Sequence, residues 1–356
     1  MRRLNRKCIY FVLLSVLLLA ACSSKEEVGL EEPEDDKDTI EEPDENPEPE
    51  LAYMYPLSGE KTNEDTSYRA FGVMIENSAQ ARPQSGIYQA DVVYEVLAEG
   101  TITRLLAFYH SMQPEIIGPV RSARDYYIYL NNGFDAVYAS AGGSPGAFDL
   151  INAGYVDHIS GLVYDGSYFV RSSERKAPHN LYTSYADLVN AATELGYDLT
   201  RSVPDQLLFA EEGELSDGEE LLSFEVKYGN AANNVQYRYD EESGSYYRYY
   251  DGVRMDDLET GEPVAPDNVF IVEAPHQVID EQQRRAIDVD AGGRAYLMQD
   301  GKVQEVEWKN DDGMILPYKD GKRLPYLPGQ TWINLVPSGN GGLDNYVEFF
   351  RDTAEG

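Results

Sequence analysis

Cysteine is almost absent: only Cys8 and Cys22 occur in 356 residues. That excludes a disulfide framework or a cysteine-based zinc knuckle, so the core must hold by packing alone. Histidine is scarce too. Its four copies lie far apart and no His-Glu-x-x-His occurs, which leaves metal catalysis little support. Positive charge is in short supply, with 29 Lys and Arg against 63 Asp and Glu and a formal net charge of −34. A surface of that sign repels the phosphate backbone, so a nucleic-acid binder is excluded. No long apolar run is present either. The longest, Ile9 to Leu19, has about a dozen residues where a spanning helix needs roughly 20.

That short run has a different use. Arg2, Arg3, Arg6 and Lys7 precede it as a basic n-region, and Leu19-Ala20-Ala21-Cys22 follows it. The ending resembles the lipobox of bacterial lipoproteins, which implies a signal peptide over 1–21 and lipid attachment at Cys22. Two or three acyl chains of the palmitate type on one residue hold a protein at the membrane persistently, whereas a single chain binds marginally. The expected location is the cell membrane, lipid-anchored on the extracytoplasmic face. Residues 22–50 then carry 14 Asp or Glu, two Lys and four Pro. Such a segment cannot bury enough apolar surface to offset chain entropy, so an acidic disordered tether is expected there; an acidic recognition tail is the alternative.

From residue 51 the pattern turns globular, and at 42% hydrophobic the chain has material for a core. Phe71–Glu76, Asp91–Leu97, Thr101–Tyr109 and Asp135–Ser140 read as strands. Between them, Ser122 with Asp125 three residues on suggests a capping box, and Gly133 stands where a helix ends. Ser144-Pro145 with Gly154, and Ser184 with Gly196, bracket two further helices. This alternation predicts an α/β (α+β) layered N-terminal domain over 51–205. An acidic linker follows at 206–223. Beyond it, Val235–Tyr239 and Tyr246–Tyr250 flank a turn, and Asp300-Gly301 and Asp320-Gly321 are strong hairpin signals. A smaller, mostly antiparallel β domain is expected over 224–350, with Ser338–Asp344 as a glycine-rich loop.

Several segments together resemble the YerB-like lipoprotein family: GVMIENSAQARPQSGIYQADVVYEVLAEGTITRLLAFY at 72–109, IGPVRSARDYYIYL at 117–130, RSSERKAPHNLYTS at 171–184, GRAYLMQDGKVQEVEWK at 293–309 and LPGQTWINLVP at 327–337. The resemblance covers nearly all of 51–350. It implies an α/β module and a β-rich module on a lipid-anchored extracytoplasmic protein, and it carries no established activity.

The charge distribution singles out one window. Residues 51–356 hold 49 acidic and 23 basic residues, yet 101–180 hold seven and six, with His110, His158 and His179 among them. Arg121 and Arg124 flank an expected helix start, and Arg171, Arg175 and Lys176 precede His179-Asn180. A helix start and arginine forks together suit phosphate or carboxylate. Arg121, Arg124, Arg171, Arg175, His179 and Asn180 are therefore the candidate binding residues of a basic groove. The competing reading is that these arginines pair with Asp125, Glu174 and other local acids as bracing.

Other chemistries are less well supported. Gly142-Gly143-Ser144-Pro145-Gly146, followed by Asp157 or Asp165 and then His179, fits a nucleophile elbow in hydrolase order. The oxyanion hole of that arrangement needs the N–H of the next residue, however, and Pro145 has none, so Ser144 reads better as a helix cap. Glu76, Glu95 and Glu99 could supply a glycosidase carboxylate pair. The 28 tyrosines, Tyr247, Tyr249 and Tyr250 among them, suit either a wet binding surface or cross-strand pairing. The segment AVYASAGGSPGAFDLINAGYVDH, downstream of IGPVRSARD, locally looks like the LytR-CpsA-Psr envelope ligases, whose arginines grip a polyprenyl pyrophosphate.

No cofactor, metal or catalytic residue is assigned. The expected function is binding of an anionic envelope component, such as a cell-wall polymer, or of a partner protein; the alternatives are an enzyme acting on phosphodiesters or glycans in the same groove, and an interaction scaffold without a small ligand.

Overall fold

Three apolar runs, starting at Phe71, Val92 and Ile102, lie side by side at the centre of the protein, buried along nearly their whole length. In this computed structural model residues 51–205, 207–211 and 217–351 are described. All belong to the compact unit Glu50–Gly356. The expected signal peptide, tether and Cys22 lie outside them.

Along the chain, β1 (Tyr53–Met54) and β2 (Lys61–Thr62) form a hairpin, and the three central strands follow as β3 (Phe71–Glu76), β4 (Val92–Glu99) and β5 (Ile102–Tyr109). Helix α1 (Asp125–Gly133), β6 (Val137–Ser140), α2 (Pro145–Asn152), β7 (His158–Ser160), the paired β8 (Val170–Arg171) and β9 (Leu181–Tyr182), and α3 (Tyr185–Glu194) come next. The second half opens with β10 (Glu219–Glu220), β11 (Ser223–Val226), β12 (Val235–Asp240), β13 (Ser245–Tyr250) and β14 (Val253–Arg254). It continues through β15 (Asn268–Ala274), the pair β16 (His276–Val278) and β17 (Arg285–Ile287), β18 (Gly293–Gln299), β19 (Lys302–Asp311), β20 (Met314–Lys319) and β21 (Lys322–Arg323). It closes with β22 (Thr331–Pro337), α4 (Leu343–Tyr346) and β23 (Val347–Phe349).

Two sheets organise these strands. The larger runs β21-β20-β19-β18-β15-β22-β4-β5-β3-β6-β7, with β10 on β19; the smaller runs β14-β13-β12-β11-β23 and is antiparallel. Strand β22 is the weld. It lies parallel to both β15 and β4, pairing Thr331 with Asn268 on one side and with Val92 on the other. Seven consecutive buried residues fit this position, because a strand covered on both faces reads as a continuous apolar run. One face of the large sheet packs against α3 and the inner residues of the small sheet. The other packs against α1 and α2.

The expected layered α/β domain is therefore corrected. The protein is mostly β, and its helices are few and accessory to one large mixed sheet. Strand β22, distant in sequence, completes the central sheet, and a periodicity reading of residues 51–205 had no access to it. The smaller antiparallel sheet is present. Among the described residues no helix is long and apolar enough to cross a membrane.

Local signals behaved unevenly. Ser144 and Ser184 cap α2 and α3, their hydroxyls accepting from the backbone of Ala147 and Asp187. Asp300-Gly301, with both φ angles positive, closes the β18–β19 hairpin as expected. Ser122 caps nothing: α1 begins at Asp125 after Arg124, and the Ser122 hydroxyl donates to the Ala141 carbonyl. Gly133 is the last residue of α1 rather than a left-handed stop. Glycine is needed there because the β19–β20 turn comes so close that a Cβ would stand 2.4 Å from the Gly313 carbonyl carbon.

A buried ion pair ties the two sheets together. Glu95 on β4 accepts from Arg248 on β13 at 2.5 Å, and both side chains are fully buried. The carboxylate also accepts from Asn77, Thr103 and the Trp332 indole, at 3.0, 2.9 and 3.1 Å. Arg248 donates to the Tyr237 and Tyr250 hydroxyls and lies 3.4 Å over the Trp332 ring. Burial opposes its charge, but the Tyr237 and Tyr250 hydroxyls and the Glu95 carboxylate outweigh it and raise the guanidinium above its ordinary pKa.

Two sets of substitutions test these contacts. Arg248→Met strands a buried carboxylate and should cost about 3–5 kcal/mol in urea unfolding, with much of that recovered by adding Glu95→Gln. Gly133→Ala should cost about 1–3 kcal/mol by overpacking against Gly313, whereas Gly146→Ala in α2, where a Cβ meets only ordinary contacts at 3.4 Å or more, should be neutral or stabilising.

Candidate functional site

The six candidate residues come from the loop before α1 and from the β8–β9 hairpin, and the structure divides them among three environments. Arg171 and Arg175 line an open groove of about 620 Å³. Arg171 donates to Asp165 at 2.7 Å and to the Asn180 side chain at 3.1 Å. Asn180 is buried and donates to the Ser172 carbonyl, so it braces the hairpin and Arg171. Arg175 crosses to another loop, where its guanidinium donates to the carbonyls of Ala81 and Pro83.

Arg121 and His179 meet elsewhere, on the buried carboxylate at the end of β3. Arg121 Nε lies 3.1 Å from one oxygen of Glu76 and His179 Nδ1 lies 2.9 Å from the other. Neither contact has hydrogen-bond alignment, so both are contacts of proximity. The Ser78 hydroxyl donates to Glu76 at 2.9 Å. Arg124 is in a third place. It is buried and pairs with Glu99, which Arg104 also grips with bonds of 3.0 and 2.8 Å. Burial and the neighbouring Arg104 charge lower the Arg124 guanidinium below its ordinary pKa.

The expected basic groove is corrected accordingly. Glu115, Glu174, Asp187 and Glu259 share the walls with Arg171 and Arg175, so the groove is mixed in charge. In a chain with twice as many acids as bases, every one of these arginines lies beside a carboxylate or a carbonyl. Sequence reasoning missed Glu99 and Glu76 as the captors, and Arg104 as the second arginine on Glu99. It also missed Glu259, which comes from the second half of the chain. Glu259 accepts from Ser85 at 2.9 Å, and its loop is fastened by Asp257, whose carboxylate accepts from the backbone of Gly86 and Glu259. No local pattern could have joined residues so distant in sequence.

The other chemistries find little geometry. Ser144 spends its oxygen on the cap, Asp157 is held by Arg69 at 2.6 Å, Asp165 by Arg171, and His179 stands beside Glu76, so no triad assembles from them. Glu76, Glu95 and Glu99 each sit in a different ion pair. Tyr246, Arg248 and Tyr250 point inward from β13, while Tyr247 and Tyr249 face out beside Arg254 and Arg238. Among the described residues no group of three His, Cys, Asp or Glu is placed to hold a metal ion.

Comparison with known proteins adds kinship. The family described as Protein of unknown function (DUF3048), N-terminal domain, matches residues 57–198, and its C-terminal domain matches 224–333. A Bacillus subtilis (strain 168) protein named "Putative lipoprotein YerB" is 47% identical over 285 residues, covering 79% of this chain and 86% of that protein. The crystal structure of YerB protein from Bacillus subtilis superposes with a TM-score of 0.77 at 44% identity, covering 84% of this chain and all of that one.

One histidine of the window offers a clean pH test. His158 Nε2 lies 2.9 Å from the Ser140 hydroxyl, and burial of its ring pushes the imidazole down to about 4 from an ordinary 6.5. The unfolded chain takes up that proton first, so stability is intact above pH 6.5 and falls as pH drops toward 4. His158→Gln should remove up to about 3 kcal/mol of this loss, seen as a shallower fall in melting temperature over that window relative to the parent.

Proposed function

The chain belongs to the DUF3048 family of YerB-like proteins, and from that premise we propose that it is a lipid-anchored binding protein of the extracytoplasmic face, taking up an envelope component in the groove beside Arg171 and Arg175. The lipobox-like Cys22 and the lipoprotein name of the Bacillus relative support the anchor. In this reading the modules at 51–205 and 224–350, joined by 206–223, both contribute to the site. Residues 115–187 come from the first, and Leu258 and Glu259 from the second.

The observation that carries the proposal is the mixed charge of one open groove. Two guanidiniums and four carboxylates on its walls suit a ligand with both amino and carboxylate groups. A uniformly anionic polymer would meet the four carboxylates and be repelled. This moves the expected ligand from a plain polyanion to an amphoteric, peptide-like component such as the peptide part of a cell wall.

Calorimetric titration of the full lipidated protein in detergent micelles tests it. Zwitterionic muropeptides should bind, and Arg171→Ala and Glu259→Gln should each weaken them by about tenfold, the loss of one charge-assisted bond. Poly(glycerol phosphate) should not bind. Binding of that polymer without binding of muropeptide would overturn the proposal.

A further inference from the structure

We propose that the groove continues into a second, apolar subsite, and that the two together take an extended peptide with a free carboxylate at one end and a bulky apolar side chain further along. This rests on the groove reading above and names its ligand class.

The second subsite is a pocket of about 500 Å³ on the seam between the segment 79–83 and strand β14. Leu258 lines both voids. The segment 79–83 also serves both: the Ala81 and Pro83 carbonyls hold Arg175 on the groove side, while Ala79, Arg82 and Pro83 face the pocket. This short segment and one leucine thus border both spaces. The pocket is rigidly built. The Arg82 guanidinium lies 3.5 Å over the Tyr250 ring and is tied to the carbonyls of Asn77 and Ala232. The Tyr250 hydroxyl belongs to the buried Glu95–Arg248 network, which fixes the ring from behind.

The chemistry changes along the cleft. At the pocket end Val253 is 71% exposed and Leu258 42%, an exposed apolar pair with Met255 beside it, rimmed by the charged Arg82, Asp251, Arg254, Asp256 and Asp257. At the groove end stand Arg171 and Arg175. A phosphate polymer or a glycan carries charge or hydroxyl at every repeat and gains nothing by losing water against valine and leucine. An acyl chain would match the pocket and leave the guanidiniums unanswered. An extended peptide answers both ends. Its carboxylate meets the arginines, its backbone amides suit the polar walls between, and one leucine-like side chain fills the pocket.

The test uses the full lipidated protein in detergent micelles and hexapeptides in which a single leucine is moved along a glycine chain, with hexaglycine and its C-terminal amide as references. One leucine register should bind about tenfold more tightly than hexaglycine, as burial of one apolar side chain predicts. Val253→Ser should erase that gain and leave hexaglycine binding unchanged. Val253 is exposed, so this variant should keep the parent's melting temperature. Amidation or Arg171→Ala should weaken every peptide. If hexaglycine binds but no leucine register improves on it, or the gain survives Val253→Ser, the second subsite is overturned and the groove reading stands. If no peptide binds, both fall.

Discussion

The arrangement of this protein depends on one buried charge pair. Glu95 belongs to the central sheet and Arg248 to the small sheet packed on it, 153 residues later. A pair buried this deeply contributes little net stability over an apolar replacement, but it tolerates only one seating, since a misplaced partner leaves a charge without water or counter-charge. Trp332 shares in it, donating to Glu95 and lying under Arg248, so the pair also registers β22 against β4. From that seating follows the position of the β13–β14 end of the small sheet and of the loop carrying Leu258 and Glu259. Both walls of the candidate cleft thereby come together.

The acidic composition acts on the site in a second way. With carboxylates in such excess, an arginine finds an internal partner before any ligand does, and Arg121, Arg124 and Arg171 all do so. The same excess places four carboxylates on the groove walls. What remains distinctive is the pairing of opposite charges in one open space, beside exposed apolar side chains.

Reading from sequence worked where the cause is local. The caps at Ser144 and Ser184 and the Asp-Gly turns depend on one side chain and its neighbouring backbone, and they were legible. Ser122 was misread because a capping pattern carries no information on where the chain turns. Gly133 was misread because its reason is Gly313, far along the chain. The tyrosine-rich strand was recognised as a strand, but the inward arginine between Tyr246 and Tyr250 was not, since a charged residue signals a solvent face unless its partner is known.

The sequence by itself determined the family and the β-rich second half, and it carries the basic n-region, the apolar run and Cys22 on which the proposed address rests. These rest on composition, short motifs and extended likeness, which need no contact between distant residues. Only the tertiary structure decided that β22 completes the central sheet, that the candidate arginines separate into three environments, and that the groove is mixed in charge. Those outcomes turn mainly on pairs distant in the chain, such as Arg121 with Glu76, Arg124 with Glu99 and Thr331 with Val92, and no local pattern records which pairs the fold will bring within reach.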